Sequence, residues 1–260
     1  MTDYEARVVR EVALWKGRKR NERLNALGRL TRPLSAFAMG MVPKQAVHRA
    51  LATAFTTSTW LSGPAGVVRM AGVETLDELR YQSLKLSDSV ARRVGKRIRA
   101  AAALGGAVTG SAGWLFAVAD ISTLVVLSMR AVHRTGLCYG YALDRPEEQA
   151  YLMAVLTLST TTSPPRRLEL IGQLHDARHW WLSQAVDSLA QEAIVKRIIR
   201  LASLEAVPGI GSFVGSAANV KFVGDVLTTS RRIFQERWLR DNGKVDQIPP
   251  AASYRPNRGH

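Results

Sequence analysis

Apolar residues recur every three or four positions along most of the 260-residue chain, and sustained period-two alternation hardly occurs. That spacing predicts helices throughout. In the first, Tyr4, Val8, Val12 and Trp15 make one stripe, with Arg7, Arg10, Glu11 and Lys16 off it. Thr2 and Glu5 have the spacing of a capping box at its start. A second helix is predicted from Pro43, carrying Val47, Leu51, Ala54 and Phe55 inward, because proline is tolerated in a first turn. The glycine- and proline-bearing stretch from Gly63 to Gly72 reads as a break. Between Ser87 and Ala103, Val90, Val94, Ile98 and Ala101 form a buried stripe, and Arg92, Arg93, Lys96, Arg97 and Arg99 crowd the other faces.

Further along, Asp144 as N-cap and Glu147 in the first turn mark another helix, with Leu152, Val155 and Leu156 facing in. Ser163, Pro164 and Pro165 end it and begin the next, which runs with interruptions past Trp180 and Ile198 to Leu204. The last helix is predicted from Ser212 to Leu239. A tail over 241–260, with Pro249, Pro250 and Pro256, is expected to be disordered. The expected architecture is therefore all-α: one multi-helix domain over 1–240, of roughly eight helices.

Composition narrows the function classes more than it selects one. Lys and Arg total 36 against 21 Asp and Glu, a formal net charge of +15, which favours lipid headgroups, nucleic acid or acidic protein surfaces as partners. Cys138 is the single cysteine, so neither an intramolecular disulfide nor a cysteine-cluster metal site can form within one chain. The first residues, Thr2, Asp3, Tyr4 and Glu5, lack the apolar core of a secretory signal.

Two segments are unusually rich in small residues. From Ala100 to Ala119 there are 20 consecutive uncharged residues, and nine more follow Asp120. Length alone would permit a membrane span, but Gly105, Gly106, Gly110, Gly113 and many alanines keep the hydrophobicity modest. A second segment echoes the first at an offset of 105: Gly106, Gly110, Ser111, Ala112 and Asp120 correspond to Gly211, Gly215, Ser216, Ala217 and Asp225. Small residues four apart let helix backbones approach closely. Gly106, Gly110, Gly113, Gly211 and Gly215 are thus expected to pack two glycine-rich central helices as a pseudo-symmetric pair.

At these residues the chain resembles the bacterial EcsC family. The resemblance begins with Tyr4, Glu5 and Trp15 and is most specific at Gly106, Ala107, Thr109, Gly110, Gly113 and Asp120. It continues through Arg130, the Tyr139, Gly140, Tyr141 run and the Pro146, Glu147, Glu148 helix start. It returns at Pro208, Gly209, Gly211, Gly215, Asn219, Asp225, Phe234 and Arg237. One departure is Ile121, Ser122 and Thr123, where a proline soon after Asp120 is expected. The resemblance implies a helical, cytoplasmic or membrane-associated protein of a family named for a protein encoded beside an ABC-type exporter, with no agreed activity; it sets a fold more firmly than a function.

Among individual residues, Asp120 in an apolar helix needs a partner. Arg130, ten residues on, is about 15 Å away along the axis, so Lys221 or an arginine of 92–99 is the better choice. Asn219, Lys221 and Asp225 are the other buried polar candidates, with Lys221 and Asp225 at i,i+4 pairing distance. His175, Asp176 and His179 spell HDxxH, which resembles zinc-hydrolase and phosphohydrolase motifs, although Arg178 would repel a cation and no third ligand is evident. His133, between Arg130 and Arg134, reads as a surface residue beside a basic patch. No phosphate-binding loop and no Gly-x-Ser-x-Gly elbow occurs.

These observations favour binding or assembly over catalysis, with no cofactor. Arg92, Arg93, Lys96, Arg97 and Arg99 are expected to meet anionic lipid at the cytoplasmic face of a membrane. A membrane protein or transporter, or a second copy of the chain, is a further expected partner. A metal-dependent hydrolase built on His175, Asp176 and His179, and nonspecific nucleic-acid binding, are the competing readings.

Overall fold

Thr2 caps the first helix, α1 (Asp3–Gly17), through a complete capping box: its hydroxyl accepts from the Glu5 N–H while Glu5 accepts from the Thr2 N–H. The computed structural model describes residues 1–18, 63–109, 114–143, 146–161, 164–175 and 211–251, without the side chains of 104–109, 114–123, 146–147, 149–150, 164 and 211–219. Among the described residues the chain is all-α, with eight helices and no strand. The helix predicted from Pro43, and the stretch through Trp180 to Leu204, lie outside them.

The segment read as a break contains a helix. α2 (Ala65–Ala71) begins after Pro64 and closes at Gly72, whose φ of 72° lets its N–H reach the Val68 carbonyl. Glycine and proline here punctuate the two ends of a short element, and Val67 in its middle is fully buried. α3 (Leu76–Tyr81) follows, capped by the Thr75 hydroxyl.

α4 (Leu84–Thr109) buries Val90, Val94 and Ile98 as the periodicity predicts, but the stripe ends on Ala102, while Ala101 is exposed. The row advances by four from Val94 to Ile98 to Ala102, so the last step of three was one residue short. α5 (Trp114–Leu137) runs unbroken past Asp120, Ile121, Ser122 and Thr123, needing no proline bend. Of the first glycine-rich copy, Gly106 therefore lies in α4 and Asp120 in α5, whereas the echo from Gly211 to Asp225 lies within one helix. α6 (Pro146–Thr160) buries Leu152, Val155 and Leu156, and α7 (Pro164–His175) restarts the chain at the proline pair. The proposed cap at Asp144 lies outside the described residues.

α8 (Gly211–Asp241) is the hub. It packs most extensively on α4, then on α5, α6 and α1. Contacts pair Asp88 with Gln235, Gly95 with Leu227, and Arg99 with Gly224, so α4 and α8 run antiparallel in a single register. Among the described residues no helix is long and apolar enough to cross a membrane.

The tail expected to be disordered from 241 is instead ordered as far as 251. α8 closes in a Schellman turn at Gly243, with N–H bonds from Gly243 to Arg240 and from Lys244 to Leu239. The chain then folds back on α1: Ile248 is buried, and the Ala251 N–H donates to the Ala13 carbonyl. Lys16 and Glu236, which bond the Ile248 carbonyl and N–H, give this segment something to dock on.

Candidate functional site

Because α8 is central, its polar C-terminal half can be buried only if each charge finds a partner. Arg231, Arg232, Gln235, Glu236, Arg237, Arg240 and Asp241 crowd that half, and three networks meet them. The first centres on Asp88 of α4, which is 1% exposed. Its carboxylate accepts from Tyr4 Oη at 2.5 Å, from Tyr139 Oη, and from Gln235 Nε2, which lies 2.8 Å from both oxygens. Four elements, α1, α4, the end of α5 and α8, are thus tied at one side chain. Burial, reinforced by the Asp88 charge, pushes the Tyr139 hydroxyl well above its ordinary range and raises Tyr4 as well.

The second network surrounds Arg237. Its guanidinium makes two parallel 2.7 Å bonds to Glu148 of α6 and lies over the rings of Tyr141, at 4.1 Å, and Tyr151, at 4.6 Å. Tyr141 Oη donates to Asp241 at 3.0 Å, and Phe234 packs against Tyr139, Tyr141 and Tyr151. Burial works to lower the Arg237 proton affinity, but the bonds to Glu148, its charge, and Tyr151 and Tyr141 together more than reverse it. Burial alone is the main cause that raises Tyr141 and Tyr151.

The third clamps the C-terminal strap. Lys16 Nζ lies 2.6 Å from Glu236 Oε1 and 2.6 Å from the Ile248 carbonyl, and the Ile248 N–H donates to Glu236 at 3.1 Å. His175 Nε2 stands 3.3 Å from the same Oε1. Burial works to raise the Glu236 carboxyl, yet His175 and Lys16 outweigh it and hold it below the usual range. Burial depresses Lys16 despite its partner. Nearby, the Cys138 thiol is fully buried and pushed up to about 12 by that burial, so it is a packed thiol rather than a nucleophile.

Outside this interior lies a basic face. Arg92, Arg93, Lys96, Arg97 and Arg99 are all exposed, and at 100° per residue they sweep about 160° of the α4 circumference. Arg92 borders Tyr4 of α1 on one flank. Arg99 approaches Gly224 of α8, and Arg97 faces Arg134 of α5 on the other.

Several residues that carried the family resemblance converge here: Tyr4, Tyr139, Tyr141, Glu148, Phe234 and Arg237 belong to the first two networks and Gly140 lies between two of them, whereas Glu5, Trp15, Arg130 and Asp225 lie elsewhere. The family model described as the EcsC protein family matches residues 6–239. The chain belongs to the EcsC family. Two curated relatives come from Bacillus subtilis (strain 168). The "Uncharacterized protein YdbA" is 24% identical over 180 residues, covering 66% of this chain and 65% of the relative. "Protein EcsC" is 24% identical over 162 residues, covering 61% of this chain and 66% of the relative. The chain thus spans just under two thirds of the length of each relative. No solved structure matches it.

Within this EcsC fold the other sequence-predicted residues are dispersed. Lys221 pairs with Asp225 at 3.4 Å as its spacing predicts, but Lys221 is exposed, not buried, because it lies on the outer face of α8. The side chains of Asp120 and Asn219, and the packing of Gly106, Gly110, Gly113, Gly211 and Gly215, lie outside the described residues. So do Asp176 and His179. His175 spends its Nε2 on Glu236 beside the Lys16 ammonium, a poor setting for a divalent cation. Among the described residues no three His, Cys, Asp or Glu cluster to hold a metal. His133 is buried at 6% exposure rather than at the surface. Sequence reasoning missed Asp88, Glu236, Lys16 and Gln235. Their one signal was polarity on an otherwise apolar face: Asp88 falls three residues before Ala91, and Lys16 four after Val12.

Proposed function

We propose that this protein works without catalysis, as a basic peripheral protein docked on the cytoplasmic face of a membrane, with the exposed face of α4 against anionic lipid. The observation that carries the reading is charge segregation. Asp88, Glu148, Glu236 and Asp241 are turned inward or paired, while five cations in eight residues stand exposed on one helix. Each cation near an anionic surface contributes about 1 kcal/mol, which together suffices for reversible attachment. The resemblance to a family named beside an exporter adds transport or secretion as the setting and a membrane protein as a companion. The metal-hydrolase reading loses ground because His175 is engaged by Glu236.

The test is sedimentation with lipid vesicles. The protein is expected to follow acidic vesicles at low salt and to be released as the Debye length shrinks to about 3 Å near 1 M salt. Replacing Arg92, Arg93 and Lys96 by Gln together is expected to weaken binding by at least about tenfold. Equal recovery with neutral and acidic vesicles would sink the reading. Salt-sensitive retardation of DNA or RNA, without vesicle binding, would reassign the face to nucleic acid.

A further inference from the structure

The basic surface does not stop at α4. α4 and α5 run antiparallel, with Asp88 meeting Tyr139. Counting nine residues forward along α4 from Asp88 and nine back along the chain from Tyr139 puts Arg97 level with Arg130, with Arg134 one turn further along α5 on the same side. Arg97 is exposed, and Arg130 and Arg134 are half-buried. The Arg134 guanidinium is pressed against α2, with Nη2 3.4 Å from where a Cβ on Gly66 would stand. Glycine at that position leaves the space the guanidinium occupies. Burial first, then the charges of Arg130 and Arg97, depress the proton affinity of Arg134, as expected of like charges held together where water screens them poorly.

The three helices that form this seam bring almost no acid. α2 has none, α4 has Asp88 alone, and α5 has Asp120 alone. Asp88 is committed to Tyr4, Tyr139 and Gln235, and Asp120 is about 15 Å along the helix axis from Arg130. Among the described residues none of the three arginines pairs with a carboxylate. Among the described residues, three guanidinium groups from two helices are therefore gathered with no carboxylate to relieve their repulsion.

We propose that Arg97, Arg130 and Arg134 form a binding site for a phosphomonoester at the seam of α4 and α5. A monoester carries close to two negative charges at neutral pH and three terminal oxygens, and can be gripped by several guanidinium forks at once. A diester or a carboxylate offers one charge and fewer acceptors. The inference deepens the membrane reading by naming the headgroup that α4 and α5 select; it rests on that reading only for lipid as the source of the phosphate.

The experiment compares phosphatidylcholine vesicles carrying phosphatidic acid, a phosphomonoester lipid, with vesicles carrying phosphatidylserine at matched surface charge. The intact protein is expected to bind the phosphomonoester vesicles about tenfold more tightly, the effect of one added charge-assisted contact. Arg130→Gln is expected to bring that ratio to about one. Arg92→Gln, which removes the same charge on the flank of α4 that borders Tyr4, is expected to weaken both bindings and keep the ratio, circular dichroism confirming that both variants fold. Equal binding of the intact protein to both vesicles overturns the site and leaves the electrostatic reading standing. Equal loss of preference in Arg92→Gln also overturns it. Inorganic phosphate is titrated by calorimetry against chloride at the same ionic strength. Heat lost in Arg130→Gln, from a protein that ignores both vesicles, keeps the site, assigns it to free phosphate and ends the membrane reading. Neither vesicle binding nor phosphate heat ends both.

Discussion

Gly140 sits between the two tyrosines that anchor separate networks, and its backbone adopts φ of 81°. A Cβ there would stand 2.5 Å from the Arg80 backbone nitrogen, so conformation and space both demand glycine. Gly140→Ala is therefore expected to destabilise the protein by more than about 2 kcal/mol, as strain at a special backbone position does. Gly172, in α7, is the contrast: it is helical and a Cβ would meet nothing within 4 Å. Gly172→Ala should stabilise by about 0.5–1 kcal/mol. Urea denaturation of the two variants checks both signs, and a Gly140→Ala protein with an unchanged midpoint would refute the assignment. Little of this was legible in the sequence. The Tyr139, Gly140, Tyr141 run stood out only through family resemblance, because the partners that explain it are remote: Asp88 is 51 positions from Tyr139, and Asp241 is 100 from Tyr141. Asp88 itself, flanked by Ser87 and Ser89, looked like the polar start of a helix. Only the arrival of three donors from other helices makes its burial tolerable.

At the scale of elements the helical period was readable wherever an amphipathic stripe had one buried side, as in α1, α4 and α6. It failed at α2, where seven residues are too few for a period to show, and in the strap over 242–251, whose docking depends on Lys16 and Glu236 far away. α8 was placed correctly from its ends, yet its role as hub was hidden, since its polar C-terminal half resembles a surface helix. The glycine-rich ends are best approached through register. The pairs Asp88 with Gln235, Gly95 with Leu227 and Arg99 with Gly224 have residue numbers summing to 322 or 323. Continued by helical rise, that register places residue 106 level with residue 217. A Gly106→Cys, Ala217→Cys double variant on a Cys138→Ser background is accordingly expected to form a disulfide on mild oxidation, which requires Cα atoms within about 7 Å. A shift of one variant to Ala102→Cys, one turn back along α4, should reduce the yield. Cross-linking that favours residue 102 over 106, or none with either, would show that the small-residue ends part company.

At the scale of the molecule, the hydroxyls of Tyr139, Tyr141 and Tyr151 and the Cys138 thiol are packed into the interior, and this set makes the fold sensitive to alkali. Tyr139, Tyr141 and Tyr151 are all raised, chiefly by burial, and Cys138 is pushed up to about 12. The unfolded chain ionises its thiol above about pH 8.5 and its tyrosines above about pH 10, whereas the folded chain keeps those protons. A folded state that holds more protons loses stability as pH rises, so their contribution is intact below those values and drains away above them. Each buried tyrosine removes up to about 1.4 kcal/mol per pH unit beyond pH 10, so three acting together remove up to about 8–13 kcal/mol within two or three units, comparable with the usual reserve of about 5–15 kcal/mol. Cooperative unfolding between about pH 10 and 12 is expected, read by circular dichroism, with the absorbance of buried tyrosinate appearing in the same transition. Tyr151→Phe, which keeps the ring against Phe234, should shift the transition to higher pH. Tyrosinate absorbance that rises gradually while the helical signal stays constant would contradict the buried networks. An alkaline wash would therefore strip this protein from a membrane by unfolding it, so release by neutral high salt is the measurement that reports on the basic face.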